Sequence, residues 1–202
     1  IAEFFVLLIG LLIAVARTST SPVLYPVRLV ATIYTDLFRG LPLLLVLLLV
    51  GLGIPGLRIS WIPNSAVVLG TVALVLTYSA YVAEVIRAGI EGVNPTQRQA
   101  ARALGLTQSQ TLEHVVLPQA FRNVTPPLLN DLVSLQKDSG LISVLGAVDA
   151  IRAAGIQTAQ SFNFTPYLVA GALFVLLTIP LTRFTDWLTR RQDARQRAQG
   201  QW

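Results

Sequence analysis

Residues 98–118 read RQAARALGLTQSQTLEHVVLP. Taken alone they describe two short polar helices: an Ala-rich turn, Gly105 where the first ends, a second from Gln108 to His114, and a stop at Leu117-Pro118. Gly105 suits a left-handed helix cap because it carries no Cβ. The surroundings are of the opposite character. Of 202 residues, 53% are hydrophobic and 12% charged, with mean hydropathy +0.64. A soluble domain carries about 25% charged residues, and half of that leaves too little polar surface to cover a globule. The composition places the chain in a lipid membrane, with 98–118 a water-exposed hairpin slung between embedded segments.

A membrane span needs roughly 20 apolar residues. Outward from the hairpin, Ala66 to Ile90 reads as one span before it and Phe121 to Ser139 as an unusually polar one after it. Ala2 to Ala16 is a span that begins inside its apolar run, as if shortened at its start. It ends in Arg17 and a Thr/Ser cluster rather than a cleavage site, so it reads as a spanning helix and not a signal peptide. Val27 to Phe38 is amphipathic and interfacial. The apolar run LPLLLVLLLVGLGI (41–54) borrows from it to form a span kinked near Pro42. Residues 53–65 form a Gly/Pro turn with Trp61 as an interfacial anchor. Gly140 to Phe164 is a loop with room for a short helix. Pro166 to Trp187 is the last span, followed by a basic tail that frays. The expected fold is all-α: a polytopic bundle of about five transmembrane helices. Residues 1–190 form the membrane domain and 191–202 a basic tail.

Orientation follows from the cations. With five spans, Arg17, Arg98, Arg102, Arg122, Arg190, Arg191, Arg195 and Arg197 fall on one side; Arg58 and Arg152 fall on the other. The positive-inside rule makes the first side cytoplasmic, with the hairpin and the C-terminus on it. The absence of cysteine removes disulfides and thiolate chemistry, and no Ser-His-Asp set suggests hydrolysis. His114, the one histidine, has no second metal-type residue spaced with it. A helix-turn-helix reader of DNA would need cations on its second helix. Gln108 to His114 has neither Arg nor Lys, so no nucleic-acid partner is expected.

The hairpin resembles the EAA loop of ABC importer permeases: Glu-Ala-Ala, three residues, Gly, nine residues, Ile-x-Leu-Pro. Here Gln99-Ala100-Ala101, Gly105 and Val115-Val116-Leu117-Pro118 hold every spacing, with Gln99 where the acid is usual. YTDLFRGLPLLL (34–45), AYVAEVIRAGIEGV (80–93) and LLNDLVSLQKDSGLISVLG (128–146) are similar to further segments of the polar amino acid branch, in the same order. The resemblance implies a MetI-like membrane fold working as a homo- or heterodimer of permeases. It also implies two copies of an ATP-binding cassette subunit docked on the loop, and an extracytoplasmic amino-acid-binding protein. It places the chain in the cytoplasmic (inner) membrane of a prokaryote. Gln99, Ala100, Ala101, Leu104, Gly105, Leu106 and Thr107 would carry the coupling contact, and Leu104, Leu106, Leu112 and Val116 can seat the loop on its own span ends. The chain has no Gly-rich phosphate loop, and its one lysine is Lys137. It is therefore expected to be no enzyme and to bind no cofactor directly, ATP and Mg²⁺ belonging to the partner.

Ionisable groups inside a span are costly and point to function. Asp131 and Asp138 lie seven residues apart, almost two helical turns, and share a face. Asp138 could take an amino acid's ammonium and Asp131 a cationic or amide side chain. Ser134 and Lys137 lie between and beside them, and Ser79 and Tyr81 could add neutral hydrogen bonds. The competing reading is local: Lys137 neutralises Asp138, and Asp131 pairs with Arg122 or a neighbouring helix end. Glu84 and Arg87 read as structural or gating residues, and Asp149 with Arg152 as a surface pair or a contact to a substrate-delivery protein.

Overall fold

In the computed structural model, residues 1–19, 21–59 and 62–198 are described, and among them every regular element is helical. The order is α1 (Ala2–Thr18), a 3-10 turn (Pro22–Leu24), α2 (Tyr25–Gly40), α3 (Leu43–Leu48), a π turn (Leu49–Gly53) and α4 (Ile54–Gly56). Then come α5 (Ala66–Glu91), α6 (Pro95–Ala103), α7 (Gln108–Thr111), a second π turn (Leu112–Val116) and α8 (Leu117–Asp138). A 3-10 stretch (Ser139–Leu145), α9 (Ala150–Ser161) and α10 (Thr165–Ala198) complete it.

α5 is the axle. Its 26 residues span about 39 Å at 1.5 Å each, and α1, α2, α3 and α8 all pack on it. Small residues allow the approach. A Cβ on Gly10 of α1 would lie 2.5 Å from Val82 Cγ1, and one on Gly89 would collide with Val124 of α8. The core consists of Val6, Leu74, Tyr78, Val82 and Leu135, with a second cluster of Val46, Leu47, Val50, Leu69 and Ala73. Of α5's most apolar 18 residues 61% are buried, against 11% for α10. α10 is therefore the lipid-facing helix, its Leu168, Leu173, Leu176 and Leu177 exposed as a bilayer permits.

Ala66–Glu91 and Thr165–Gln192 are long and apolar enough to cross a membrane. Two bent pairs also qualify, each counted as one span: Pro22–Gly40 with Leu43–Gly56, and Gln108–Leu145 with Ala150–Ser161. α1 adds a 17-residue apolar helix. The second span is an elbow of 106° rather than a kinked rod. Leu41 is extended at φ −90°, ψ 136°, the conformation that a following proline imposes.

Three further expectations give way. Leu117-Pro118 does not stop the hairpin's second arm; the helix runs on into α8. The π turn ahead of it bonds Leu117 N–H to Leu112 O, five residues back, so the ladder has already widened where Pro118 offers no donor. Residues 140–164 do contain the short helix they left room for, α9, and it is capped by Asp149 Oδ1, which accepts from the Arg152 backbone N–H at 2.8 Å. That contact takes the place of the expected Asp149–Arg152 side-chain pair. The tail does not fray at 191 but continues α10 to Ala198; residues 199–202 and Trp61 lie outside the described residues.

Candidate functional site

α8 runs antiparallel to α5. Asn123 Nδ2 donates to Gly89 O at 3.4 Å near one end, and Ile142 packs against Gly70 near the other. Between these points the two helices, with Leu43 of α3, border an open cavity of about 310 Å³ lined by Leu43, Thr77, Tyr78, Tyr81, Asp131, Ser134 and Asp138. Asp131, Ser134 and Asp138 stand on one face of α8 at spacings of three and four, as their separation requires. The Tyr78 hydroxyl donates to Asp138 Oδ2 at 2.7 Å, and the Tyr78 and Tyr81 rings meet edge to face at 6.0 Å. Asp131 Oδ2 and Thr77 Oγ1 are buried without a hydrogen-bond partner. Two carboxylates and no cation line the cavity, so it offers acceptors to a positively charged or hydrogen-bond-donating group.

Four of the six expected pocket residues thus come together: Asp131, Ser134, Asp138 and Tyr81. Ser79 does not line the cavity. It is buried on the opposite side of α5, its Oγ 2.8 Å from the Tyr34 hydroxyl, which also donates to Leu76 O at 2.8 Å. It joins α5 to α2. Lys137 is exposed on α8 and does not neutralise Asp138, whose carboxylate takes the Tyr78 hydroxyl instead. Thr77 and Tyr78 were missed from sequence. Their signal was there, since Tyr78 and Tyr81 are three apart on one helix face.

Toward the C-terminal end of α5, Glu84 gathers three guanidinium groups. Arg17 Nη1 of α1 lies 2.6 Å from Oε2, Arg87 Nη2 2.5 Å from Oε1, and Arg39 Nη1 of α2 3.7 Å from Oε2. Arg87 also pairs with Glu91 at 2.6 Å. One carboxylate thereby ties α1, α2 and α5 together, and at 19% and 10% exposure the Glu84 and Arg17 side chains are poorly reached by water.

The hairpin follows one turn later. Asn94 caps α6 by accepting from Thr96 N–H at 2.9 Å. Gly105 takes φ +87°, and its N–H bonds Arg102 O while Leu106 N–H bonds Ala101 O, a Schellman closure. Thr107 then opens α7 with a capping box: its Oγ1 accepts from Gln110 N–H at 3.2 Å, and Gln110 Oε1 accepts from Thr107 N–H at 2.9 Å. Arg98 donates to Ile90 O, and Val116 packs with Val93 and Ala120, so the base is fixed to the ends of α5 and α8. Of the residues expected to seat the loop, Val116 does so. Leu104 and Leu112 instead stand 84% and 46% exposed. Gln99, Ala100, Gly105 and Thr107 are exposed beside Leu104, whereas Ala101 is buried and Leu106 partly so. Among the described residues no group of three or more metal-ligating side chains occurs, and His114 stands exposed.

A lipid-embedded helical bundle with a polar cavity at its axle, and a stiff hairpin fixed to both cavity walls, is the membrane half of a transporter. Residues 6–196 match the family described as binding-protein-dependent transport system inner membrane component, and the chain belongs to that family of ABC transporter permeases. It is 39% identical over 180 residues to a protein of Rickettsia conorii named as a glutamine transport system permease, GlnP (89% of this chain, 80% of that one). It is 36% identical over 177 residues to the arginine transport system permease protein ArtQ of Bacillus subtilis (87% and 78%). Among solved structures it superimposes on an amino acid ABC transporter crystallised with histidines at TM-score 0.85 and 37% identity, covering 94% of this chain and 86% of that one. The MetNI methionine ABC transporter in an inward-facing conformation shares the fold at TM-score 0.74 and 20% identity, covering 95% and 89%.

Proposed function

We propose that this chain is the membrane permease of an ATP-driven importer that carries a polar amino acid inward by alternating access. The observation that carries this reading is the cavity between α5 and α8. Two aspartates share it, and Asp131 Oδ2 and Thr77 Oγ1 are buried there without partners. Asp138, held by Tyr78, accepts the substrate ammonium; Asp131, Thr77 and Ser134 meet the rest of it. Lys137 and Ser79 stay outside this site. The similarity to permeases named for glutamine and arginine supports the substrate class.

The permease works as a dimer, of identical chains or with a sister chain, fed by an extracytoplasmic amino-acid-binding protein. Two ATP-binding cassette subunits dock on the hairpin at 94–118, through Gln99, Ala100, Leu104, Gly105 and Thr107, and hydrolyse ATP with Mg²⁺. The chain itself has no nucleotide site and needs no cofactor of its own. It lies in the cytoplasmic membrane of a prokaryote, with residues 1–190 as the permease domain and the basic 191–202 segment on the cytoplasmic side. The test is Asp138→Asn in the assembled transporter. Uptake of the transported amino acid into proteoliposomes falls at least tenfold while the complex still assembles. Unchanged uptake removes Asp138 from the site.

A further inference from the structure

Between the two arms of the hairpin lies a second groove, of about 330 Å³, lined by Arg98, Arg102, Gln108, Thr111, Leu112 and Val116. Arg98 and Arg102 are four residues apart and present two guanidinium groups from one face of α6. Each spends one end on the backbone: Arg98 Nη2 donates to Ile90 O, and Arg102 Nη1 to Leu106 O at 2.7 Å. The other donors are not consumed. Arg98 Nε is buried without a partner, and so is Oγ1 of Thr111, a side chain only 5% exposed. Both residues line the groove, and each leaves a buried polar atom without its hydrogen bond.

We infer that this groove receives a carboxylate side chain of the ATP-binding subunit. The inference rests on the reading of the hairpin as that subunit's docking element and adds the chemistry of the contact. A planar carboxylate matches the fork of a guanidinium with two parallel hydrogen bonds, and Thr111 and Gln108 can fill its remaining lone pairs. Charge complementarity points the same way. Residues 94–118 carry Arg98 and Arg102 against a single acid, Glu113. The hairpin therefore donates and its partner accepts. Position selects a protein over a lipid headgroup: Arg102 is two residues from Leu104, which stands 84% exposed at the hairpin's tip beside the left-handed Gly105. The mouth of the groove is thus continuous with the surface that meets the partner.

The composition of the chain makes a selective test possible. Its sole lysine is Lys137, on α8 and far in sequence from the hairpin. Arg102→Lys therefore introduces the hairpin's one side-chain amine and keeps the charge. A water-soluble carbodiimide would activate a contacting carboxylate as an O-acylisourea, which that amine displaces to form an amide, the carbodiimide leaving as its urea. In the purified permease–ATPase complex, Arg102→Lys, or Arg98→Lys as the second variant, gives a covalent permease–ATPase adduct. Peptide mapping joins position 102 or 98 to an Asp or Glu of the ATP-binding subunit, and the parent complex gives no adduct at the hairpin. Arg102→Glu lowers the amount of ATP-binding subunit that co-purifies at least tenfold. The inference is overturned if assembled lysine variants yield no adduct at 98 or 102, or if neither retains the ATP-binding subunit. It is equally overturned if Arg102→Glu co-purifies it undiminished, or if the loss appears only in nanodiscs containing anionic lipid, which assigns the groove to a headgroup. Failure of the parent chain to co-purify the ATP-binding subunit overturns the importer reading itself.

Discussion

Removing the Glu84 carboxylate should destabilise the bundle by an amount set by its least hydrated partner. Glu84→Gln keeps the shape and deletes the charge. Arg17, 10% exposed and 2.6 Å from Oε2, then keeps its own charge in a poorly hydrated site with a neutral amide opposite. Breaking such a buried pair from one side costs roughly 3–5 kcal/mol. Arg87 retains Glu91, and Arg39, 41% exposed at 3.7 Å, loses under about 1 kcal/mol. The amide oxygen still accepts one hydrogen bond from Arg17, so the low end applies, about 3 kcal/mol. For a domain of this size each kcal/mol moves the melting temperature by about 2–4 °C, which gives a fall of roughly 6–12 °C. The assay is thermal unfolding of the purified complex in detergent, followed by tryptophan fluorescence. The double variant Arg17→Met/Glu84→Met separates charge from packing. It leaves no buried Arg17 charge behind and should recover most of the loss, giving a coupling of about 2 kcal/mol in the double-mutant cycle whose single variants are Arg17→Met and Glu84→Met. A Glu84→Gln complex that melts with the parent, or a double variant as unstable as the two singles added, refutes the account of Glu84 as the tie between three helices.

Two further outcomes follow from backbone geometry. Gly105→Val places a β-branched residue at φ +87°, a conformation costing it roughly 1–3 kcal/mol. The hairpin should loosen, and transport-coupled ATP turnover should fall severalfold while the substrate-free bundle melts normally; unchanged coupling counts against the rigid turn. Gly89→Leu drives a side chain into Val124 at the α5–α8 crossing. It should cost about 1–3 kcal/mol or more from overpacking and lower the yield of folded complex, whereas Gly40→Ala, with nothing within 4 Å, should leave yield intact.

Much of this architecture was legible because the relevant rules are local. Gly105 announced its left-handed turn, and Pro42 and Leu41 a break, since both effects act on the residue itself or its neighbour. Asp131 and Asp138 fell on one face because helical period fixes direction. The sequence could not show which side of α5 met which partner. Ser79 and Tyr78 are adjacent, yet one turns to Tyr34 of α2 and the other to Asp138 of α8. Only the packing of three helices decides between them. Pro118 misled for a related reason. Proline breaks a regular α-helix, but a π turn immediately before it had already shifted the ladder, and no local pattern signals that shift.

The continuity across Pro118 bears directly on how the hairpin could act on the cavity. From Gln108 to Leu145 the chain is one continuous helical run of 38 residues, rising roughly 1.5 Å per residue over its α-helical part. Thr111 in the groove and Asp131 in the cavity lie on it some 30 Å apart by the same rise. The other arm is held by Arg98 to Ile90 O, on α5, which carries Thr77, Tyr78 and Tyr81. Both cavity walls are therefore the helices from which the hairpin hangs. A force on the hairpin that shifted α8 against α5 would act on the two hydrogen bonds that join them, Asn123 to Gly89 O near the hairpin and Tyr78 to Asp138 in the cavity. The same force on a hairpin hung from α9 and α10 would move helices whose side chains contribute nothing to the cavity.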